Sequence, residues 1–234
     1  MHYGVLTWGL RDRIHICMVI QVVVAPPIPV NIRDHASQFL ISLIDTKPKR
    51  VIKLKLVEHL IKAAFMLLIQ PDRNPFAAGE MTAQKIGVDL LDALSMEMPN
   101  KKEIFQICLA NALNICQSQN YFERKGGHVV LAVLAEGCSE FLKENLKQLL
   151  DVICLGIKDS EPLVREAACV ALTQFSDHVQ PDITEYHAVT NFDFVMTWEC
   201  CTEPNENVAC IVKNLHVSNS FSKGRPSASV YCSG

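Results

Sequence analysis

Cysteine and histidine are the residue types of this chain best suited to chemistry, with ten and eight copies in 234 residues. The densest group lies near the C-terminus and consists of Cys200, Cys201, Cys210, His216 and Cys232. Zinc sites pair their ligands a few residues apart, and this spacing fits no such pattern. The sequence contains no CxxC pair, which also argues against thioredoxin-type redox chemistry. We therefore expect no bound metal.

The other polar residues form no recognisable catalytic motif. There is no phosphate-binding loop, no metalloprotease helix and no G-x-S-x-G turn in the sequence. His128 is expected to be a partly exposed helix residue, not a general base. We predict that the protein is not an enzyme and uses no cofactor.

Five further cysteines lie in apolar, helix-like segments, where they act as small hydrophobic residues. They are Cys108, Cys116, Cys138, Cys154 and Cys169. This placement predicts a reduced intracellular protein rather than a disulfide-bonded one.

Two groups of charges need an explanation. Asp159 precedes Arg165 by six residues at a predicted turn between helices. We interpret this pair as part of an Asp–Arg ladder between successive turns, with Arg124 as the neighbour; the alternative is separate, solvated charges. The run 47-KPKRVIKLK-55 carries five bases in nine residues. It is either a nuclear localisation signal or phosphate-binding patch, or a solvated helix start after a loop, and we favour the helix start.

Composition narrows the class of partner. The net charge is -3 and aromatic residues make up 7%, so neither a basic surface nor base-stacking platforms are expected, and we predict no direct nucleic acid binding. The apolar run 14–25 is shorter than the roughly 20 residues of a spanning helix, and we predict no membrane association. This run can imitate a signal peptide, but it is better explained as a buried helix or strand, or as a segment that packs poorly.

Internal repeats organise the chain. Residues 32-IRDHASQFLISLID-45 align without a gap to 164-VREAACVALTQFSD-177, and Arg124 precedes Arg165 by 41 residues. Four similar helices are thus predicted to begin near residues 33, 83, 124 and 165. Amphipathic partner segments lie at 51–70, 101–118 and 141–159, and a fourth begins at 182. Helix pairs at such a period are typical of HEAT or armadillo arrays. We predict an all-α solenoid of about four helical pairs with irregular N- and C-terminal extensions.

A Gly-Gly pair, Gly126 and Gly127, occupies the slots that hold Ala167 and Ala168 one period later. Each glycine costs a helix about 0.5–1 kcal/mol relative to alanine. Either a close helix crossing offsets this cost, or the first turn of the helix frays.

The segments 122-FERKGGHVVLAVLAEGCSEFLKENL-146 and 158-KDSEPLVREAACVALTQFSDHVQPDI-183 resemble the importin-β (karyopherin-β) family, most closely its importin-four branch. Residues 43–60 and 88–99 fit the same branch, and the resemblance covers about 31–187. It implies a segment of a long HEAT solenoid that carries protein cargo, such as histones and ribosomal proteins, into the nucleus. It further implies cargo release by the GTP-bound form of Ran, contact with Phe-Gly nucleoporins through slots between helices, and shuttling between cytoplasm and nucleus.

The chain departs from the family pattern in three respects. It is short, 71-PDRNPFAAGE-80 stands where relatives carry a long acidic insertion, and the resemblance stops after His187. We therefore divide the chain into a divergent segment 1–30, the repeat array 31–187 and a disordered tail 188–234. The two flanking segments are interpreted as products of an alternative transcript or gene-model end.

Our leading hypothesis is a nuclear import receptor fragment that binds protein cargo through the exposed residues of its second-helix row. The residues chosen for this surface are Arg33, Lys85, Arg124 and Arg165. The alternatives are a HEAT-repeat interaction scaffold outside transport and a truncated, non-functional isoform.

Overall fold

Helix pairs build the whole of the molecule that the computed structural model describes, which is residues 3–71, 81–179 and 182–183, with side chains from residue 11. The pairs are α1 (Tyr3–Val24) with α2 (Val30–Thr46), α4 (Val57–Leu68) with α5 (Ala83–Glu97), α6 (Lys101–Ile115) with α7 (Tyr121–Gly137), and α9 (Leu146–Ile157) with α10 (Pro162–His178). Between pairs lie two short helices, α3 (Pro48–Lys53) and α8 (Ser139–Leu142), and a 3₁₀ turn at Lys143–Asn145. The predicted all-α solenoid of about four helical pairs is confirmed.

The second helices of the pairs form the centre of the array. Helix α5 packs between α2 and α7, and α7 packs between α5 and α10. Every residue of α7 from Lys125 to Ala135 is buried. The apolar faces therefore join into one continuous core, as expected when repeats cannot bury their own faces alone.

Helix α1 corrects the expectation of an irregular N-terminal extension. Its apolar residues recur at steps of one, three and four, and those buried include Ile16, Ile20, Val23 and Val24. They pack against α2 and α4. Of the alternatives for residues 14–25, the buried helix is therefore the right one.

The predicted partner segment 51–70 is not one helix. It breaks at Lys55, whose φ of 54° is left-handed, and α4 begins at Val57. The Leu56 amide donates to the Val51 carbonyl and the Lys55 amide donates to the Ile52 carbonyl, which are the two bonds of a Schellman motif. Val51 and Leu56 are both fully buried, so the break sends two apolar side chains into the same core.

The Gly-Gly pair marks a close crossing. A Cβ added to Gly127 would lie 2.4 Å from Cys116 Sγ and 3.0 Å from the Ala112 carbonyl oxygen, both at the end of α6. Both glycines are buried within a continuous helix, and Asn120 caps it by accepting from the Phe122 amide at 3.0 Å. Close approach, rather than fraying, is therefore the reason for the glycines.

The predictions for the C-terminal part of the chain fall largely outside the described residues. This holds for the tail 188–234 and for the group of Cys200, Cys201, Cys210, His216 and Cys232. Asp182 forms an exposed ion pair with Lys143 at 2.7 Å, and Ile183 is buried. The boundaries at residues 30 and 187 stay predictions.

Candidate partner-binding surface

Three of the four residues chosen for partner contact already have intramolecular partners. Arg33 is only 5% exposed, which corrects the expectation that it lies on the surface. Its Nε donates to the Val23 carbonyl at 2.7 Å, and its Nη2 lies 3.5 Å from Gln70 Oε1. The guanidinium thus ties the end of α1 to α2, and α1 is the element that covers it.

Arg124 and Asp159 form the rung that the spacing predicts. Arg124 Nε and Nη2 donate to the two carboxylate oxygens of Asp159 at 2.7 and 2.9 Å. The hydrogen bond from Arg124 lowers the pKa of Asp159, although burial opposes this shift. Because Arg124 lies on α7 and Asp159 precedes α10, this bidentate pair joins two successive repeats.

Arg165 repeats the geometry of Arg124 one period later. Arg165 Nη1 donates to the carbonyls of Asp159 and Ser160, both at 2.9 Å. Arg124 Nη1 donates in the same way to the Ser118 and Gln119 carbonyls. The Nε of Arg165 is buried and has no hydrogen-bond partner among the described residues. The predicted Arg124–Asp159 rung is therefore confirmed, and both arginines also order the turn that precedes their helix.

A second polar chain crosses the second-helix row beside the ladder. Gln84 Nε2 donates to the carbonyls of Leu68 and Gln70 at 3.0 and 2.5 Å, and its Oε1 accepts from Lys125 Nζ at 2.7 Å. Lys125 is 1% exposed, so this ammonium group is buried between α5 and α7. Buried polar groups require such partners, and this series of hydrogen bonds fixes the register of α5 against α7.

Carboxylates occupy the solvent-facing side of the same row. Burial raises the pKa of Asp89, with a further increase from Asp34 on α2, while Lys85 one turn away lowers it. Burial likewise raises the pKa of Asp92, and the charges of Glu136 on α7, Asp89 and Glu97 add to the increase. Three successive second helices thus bring negative charge together; we call Asp34, Asp89, Asp92 and Glu136 the acidic row.

Sequence reasoning missed the acidic row and selected basic residues on the same helices. Of the four chosen residues, Lys85 is the one that is half-exposed and takes no part in the Asp–Arg contacts. It lies beside Asp89. A usable signal was present, because acidic residues recur on consecutive predicted second helices at positions outside the apolar stripe.

An apolar slot lies on the opposite side of the array, between α6 and the α8–3₁₀ connection. It encloses about 280 Å³, and its apolar lining includes Phe105, Leu109, Ala110, Leu113 and Phe141. The rings of Phe105 and Phe141 lie 5.7 Å apart at a tilt of 35°. Lys102 and Glu144 provide charged edges. The slot is suited to an apolar or aromatic side chain with polar flanks.

His128 is buried, which corrects the expectation of partial exposure. Gly156 on α9 leaves the space that the imidazole occupies, since a Cβ there would lie 2.1 Å from His128 Nε2. Burial lowers the pKa of His128 to about 4, so the ring is neutral at physiological pH. Its Nδ1 has no hydrogen-bond partner in the part of the chain described.

Burial also disfavours ionisation of three thiols at α6 and at the end of α7. Burial raises the pKa of Cys108 and of Cys116 to about 12 and that of Cys138 to about 11. Within the described ranges there is no cluster of three or more metal-ligand side chains. No helix in those ranges combines the length and hydropathy needed to cross a membrane.

Known proteins are similar to this chain in both sequence and architecture. A family model described as a HEAT-like repeat matches residues 130–175. Importin-4 of Mus musculus is 30% identical over 195 residues, covering 76% of this chain and 18% of the mouse protein. Importin-4 of Homo sapiens is 30% identical over 162 residues, covering 62% and 15%. The chain belongs to the importin-β family, on its importin-4-like branch.

Solved karyopherin structures confirm the solenoid of this importin-β-family chain. Kap121p bound to Pho4p superimposes with a TM-score of 0.75 at 17% identity, covering 88% of this chain and 21% of Kap121p. Kap121p bound to RanGTP superimposes with a TM-score of 0.73 at 17% identity, covering 91% of this chain and 22% of Kap121p. Kap121p bound to Nup53p superimposes with a TM-score of 0.70 at 16% identity, covering 86% of this chain and 21% of Kap121p. The chain spans less than a fifth of the length of the mouse and human relatives.

Proposed function

We propose that this chain is the cargo-contacting part of a nuclear import receptor and that its acidic row holds a basic segment of a protein cargo. The supporting observation is the grouping of Asp34, Asp89, Asp92 and Glu136 on three adjacent helices, where burial, and after it the neighbouring carboxylates, raise the pKa of Asp89 and Asp92. A bound cation relieves this repulsion, so the row favours lysine- and arginine-rich segments. Histones and ribosomal proteins provide such segments.

The side of the array on which the row lies supports the same proposal. Solenoids present extended binding surfaces along stacked repeats, and an extended peptide can meet one helix after another. The row follows α2, α5 and α7 in that manner. Arg33, Arg124 and Arg165 contribute by ordering the ends and turns of the second helices, and the bond from Lys125 to Gln84 joins α5 to α7. Lys85 lies beside Asp89 at the acidic surface.

A binding measurement with neutralised carboxylates tests the proposal. Fluorescence anisotropy is recorded for the full chain with a fluorescein-labelled lysine- and arginine-rich peptide at two salt concentrations. We expect Asp89→Asn with Asp92→Asn to weaken binding about tenfold, because partly exposed pairs contribute roughly 0.2–1 kcal/mol each. Glu144→Gln with Asp151→Asn neutralises two exposed carboxylates elsewhere and is the matched control. Equal affinity of the two double variants would exclude the acidic row as the cargo surface.

The slot between α6 and the α8–3₁₀ connection supports a second contact, with Phe-Gly repeats of nucleoporins. Its volume and aromatic lining suit one phenylalanine side chain, and its open shape suits weak, rapidly exchanging contacts. Ala110→Glu places a charge in the slot, whereas Asn114→Glu places one on the same helix outside it. In an NMR titration with a Phe-Gly peptide, we expect only Ala110→Glu to abolish the shifts. Similar shifts in both variants would show that the peptide binds elsewhere.

Ran and shuttling between cytoplasm and nucleus complete the proposed role. The support is family membership together with the karyopherin structure bound to RanGTP. A pull-down with Ran-GTP and Phe-Gly repeats separates transport from the alternative of a non-transport scaffold. If the chain stays helical by circular dichroism and binds neither partner, the transport role for this segment is refuted.

A further inference from the structure

A basic surface on the connection between the first two helix pairs has no part in the proposed cargo or nucleoporin contacts. Lys47, Lys49, Lys53 and Lys55 are all exposed on α3 and its two flanking turns. Within the described ranges none of the four forms an ion pair, whereas Arg50, in their midst, binds Asp12 of α1. We call these four lysines the α3 basic surface.

The α3 basic surface rests on a fixed base. Val51 and Leu56 are 0% exposed and anchor the two ends of the connection in the core. The Arg50–Asp12 pair ties α3 to α1, and the Schellman bonds close its C-terminal end. A nuclear localisation signal is read as an extended peptide, so a segment held helical by two core residues does not fit that interpretation. The favoured alternative, a solvated helix start, describes its conformation correctly.

Lys55 provides a second, independent observation. It has a left-handed φ of 54° at the position after the helix C-cap, where glycine is the usual residue because it has no Cβ to clash. A lysine there is less stable than a glycine, and its exposed side chain contributes no described contact to offset this. Unfavourable backbone conformations persist where the surrounding structure holds them, and they cluster at functional sites. The turn directs Lys55 to solvent beside Lys53.

We propose that Lys47, Lys49, Lys53 and Lys55 form a docking surface for an acidic protein segment. Lys49 and Lys53 are four residues apart and share one face of α3, and the flanking lysines extend the charge at both ends. Six helical residues span about 9 Å, which matches about three residues of extended chain. An Asp/Glu-rich run therefore places several carboxylates against the four ammonium groups.

Protein is favoured over nucleic acid as the partner for four reasons. Residues 43–60 contain no Phe, Tyr or Trp on which a base can stack, and the one arginine of the cluster is already paired. The surface covers only a few phosphates, and the net charge of -3 repels the rest of a long polyanion. Short acidic segments avoid that penalty.

Anisotropy with a fluorescein-labelled Asp/Glu-rich decapeptide and the full chain tests the proposal. We expect Lys49→Gln with Lys53→Gln to weaken binding at least fivefold. Lys62→Gln with Lys147→Gln removes two exposed lysines elsewhere and should leave the affinity unchanged. Lys55→Gly should weaken the same binding while raising the urea midpoint, so loss of binding cannot be attributed to loss of folding.

Three results would overturn the proposal. The first is absence of peptide binding to the unmodified chain, and the second is an equal loss of affinity in both lysine-pair variants. The third is tighter binding of a labelled single-stranded RNA 20-mer that is lost in Lys49→Gln with Lys53→Gln, because this would assign the surface to nucleic acid.

Discussion

Replacement of Asp159 by asparagine should weaken the contact between the third and fourth helix pairs. Asp159 and Arg124 are 13% and 18% exposed and share two hydrogen bonds, and Asp159 Oδ1 also accepts from the Glu161 amide at 2.9 Å. Asparagine retains one acceptor oxygen but loses the charge and the bidentate geometry. A charged hydrogen bond contributes roughly 1.5–3 kcal/mol. We expect Asp159→Asn to lower the free energy of unfolding by about 2–3 kcal/mol.

Urea unfolding followed by far-UV circular dichroism measures this loss. Because the pair joins neighbouring repeats, the variant should also unfold less cooperatively, with a smaller dependence on urea concentration. Asp151→Asn, at an exposed position on α9, is the control and should match the unmodified chain. Arg124 holds the pKa of Asp159 below its ordinary value of about 3.9, so the contribution is present above that pH and is lost on further acidification. If the free energy of unfolding of Asp159→Asn lies within about 0.5 kcal/mol of that of Asp151→Asn, the Arg124–Asp159 pair does not couple the repeats.

Three further predictions address the close crossing, the buried imidazole and the left-handed lysine. Gly127→Ala should lower the free energy of unfolding in urea by about 1–3 kcal/mol, since the new Cβ meets Cys116 Sγ. Adding Cys116→Ala should restore part of the lost stability, and unchanged stability of Gly127→Ala would refute close packing. The folded-state pKa of His128 is about 4 against about 6.5 unfolded, so stability is full above pH 6.5 and should fall by about 3 kcal/mol towards pH 4. His128→Leu should lack this component, and identical pH profiles would contradict it. Lys55→Gly should raise the free energy of unfolding by about 0.5–1 kcal/mol, and a decrease would show that the lysine stabilises the turn.

Repetition made the core of the fold predictable. The equivalence of Arg33, Arg124 and Arg165 located three second helices. The six-residue spacing of Asp159 and Arg165, with Arg124 one period earlier, identified the rung between repeats. These inferences succeed because neighbouring repeats pack in the same way, so a residue and its counterpart one period later have the same surroundings.

Features that depend on non-repeated neighbours were not predictable in this way. Arg33 is buried where the end of α1 meets α2, and residues 1–30 lie outside the repeats that the sequence alignment identified. His128 is buried because Gly156 on another helix leaves space for it. The break at Lys55 arises from the joint burial of Val51 and Leu56, which helical periodicity alone does not reveal.

The surface charges illustrate the same limit. Asp34, Asp92 and Glu136 are far apart in sequence, and only the stacking of α2, α5 and α7 brings their charges together. The repeat alignment and the basic run 47–55 drew attention to arginines and lysines instead. Since a charge has meaning only through its neighbours in space, the acidic row had to be identified from the structure.

The most direct test of the acidic row as a cargo surface is the pKa of Asp92 with and without a basic peptide. Carboxyl carbons of ¹³C-labelled aspartate are titrated by NMR with and without a saturating lysine- and arginine-rich peptide, and Asp92→Asn assigns the signal. Burial, together with the charges of Glu136 and Asp89, raises the pKa of Asp92 in the free chain, and we expect this pKa to fall when the peptide binds because bound cations offset those charges. A pKa that the bound peptide leaves unchanged would contradict the assignment of the acidic row as the cargo surface.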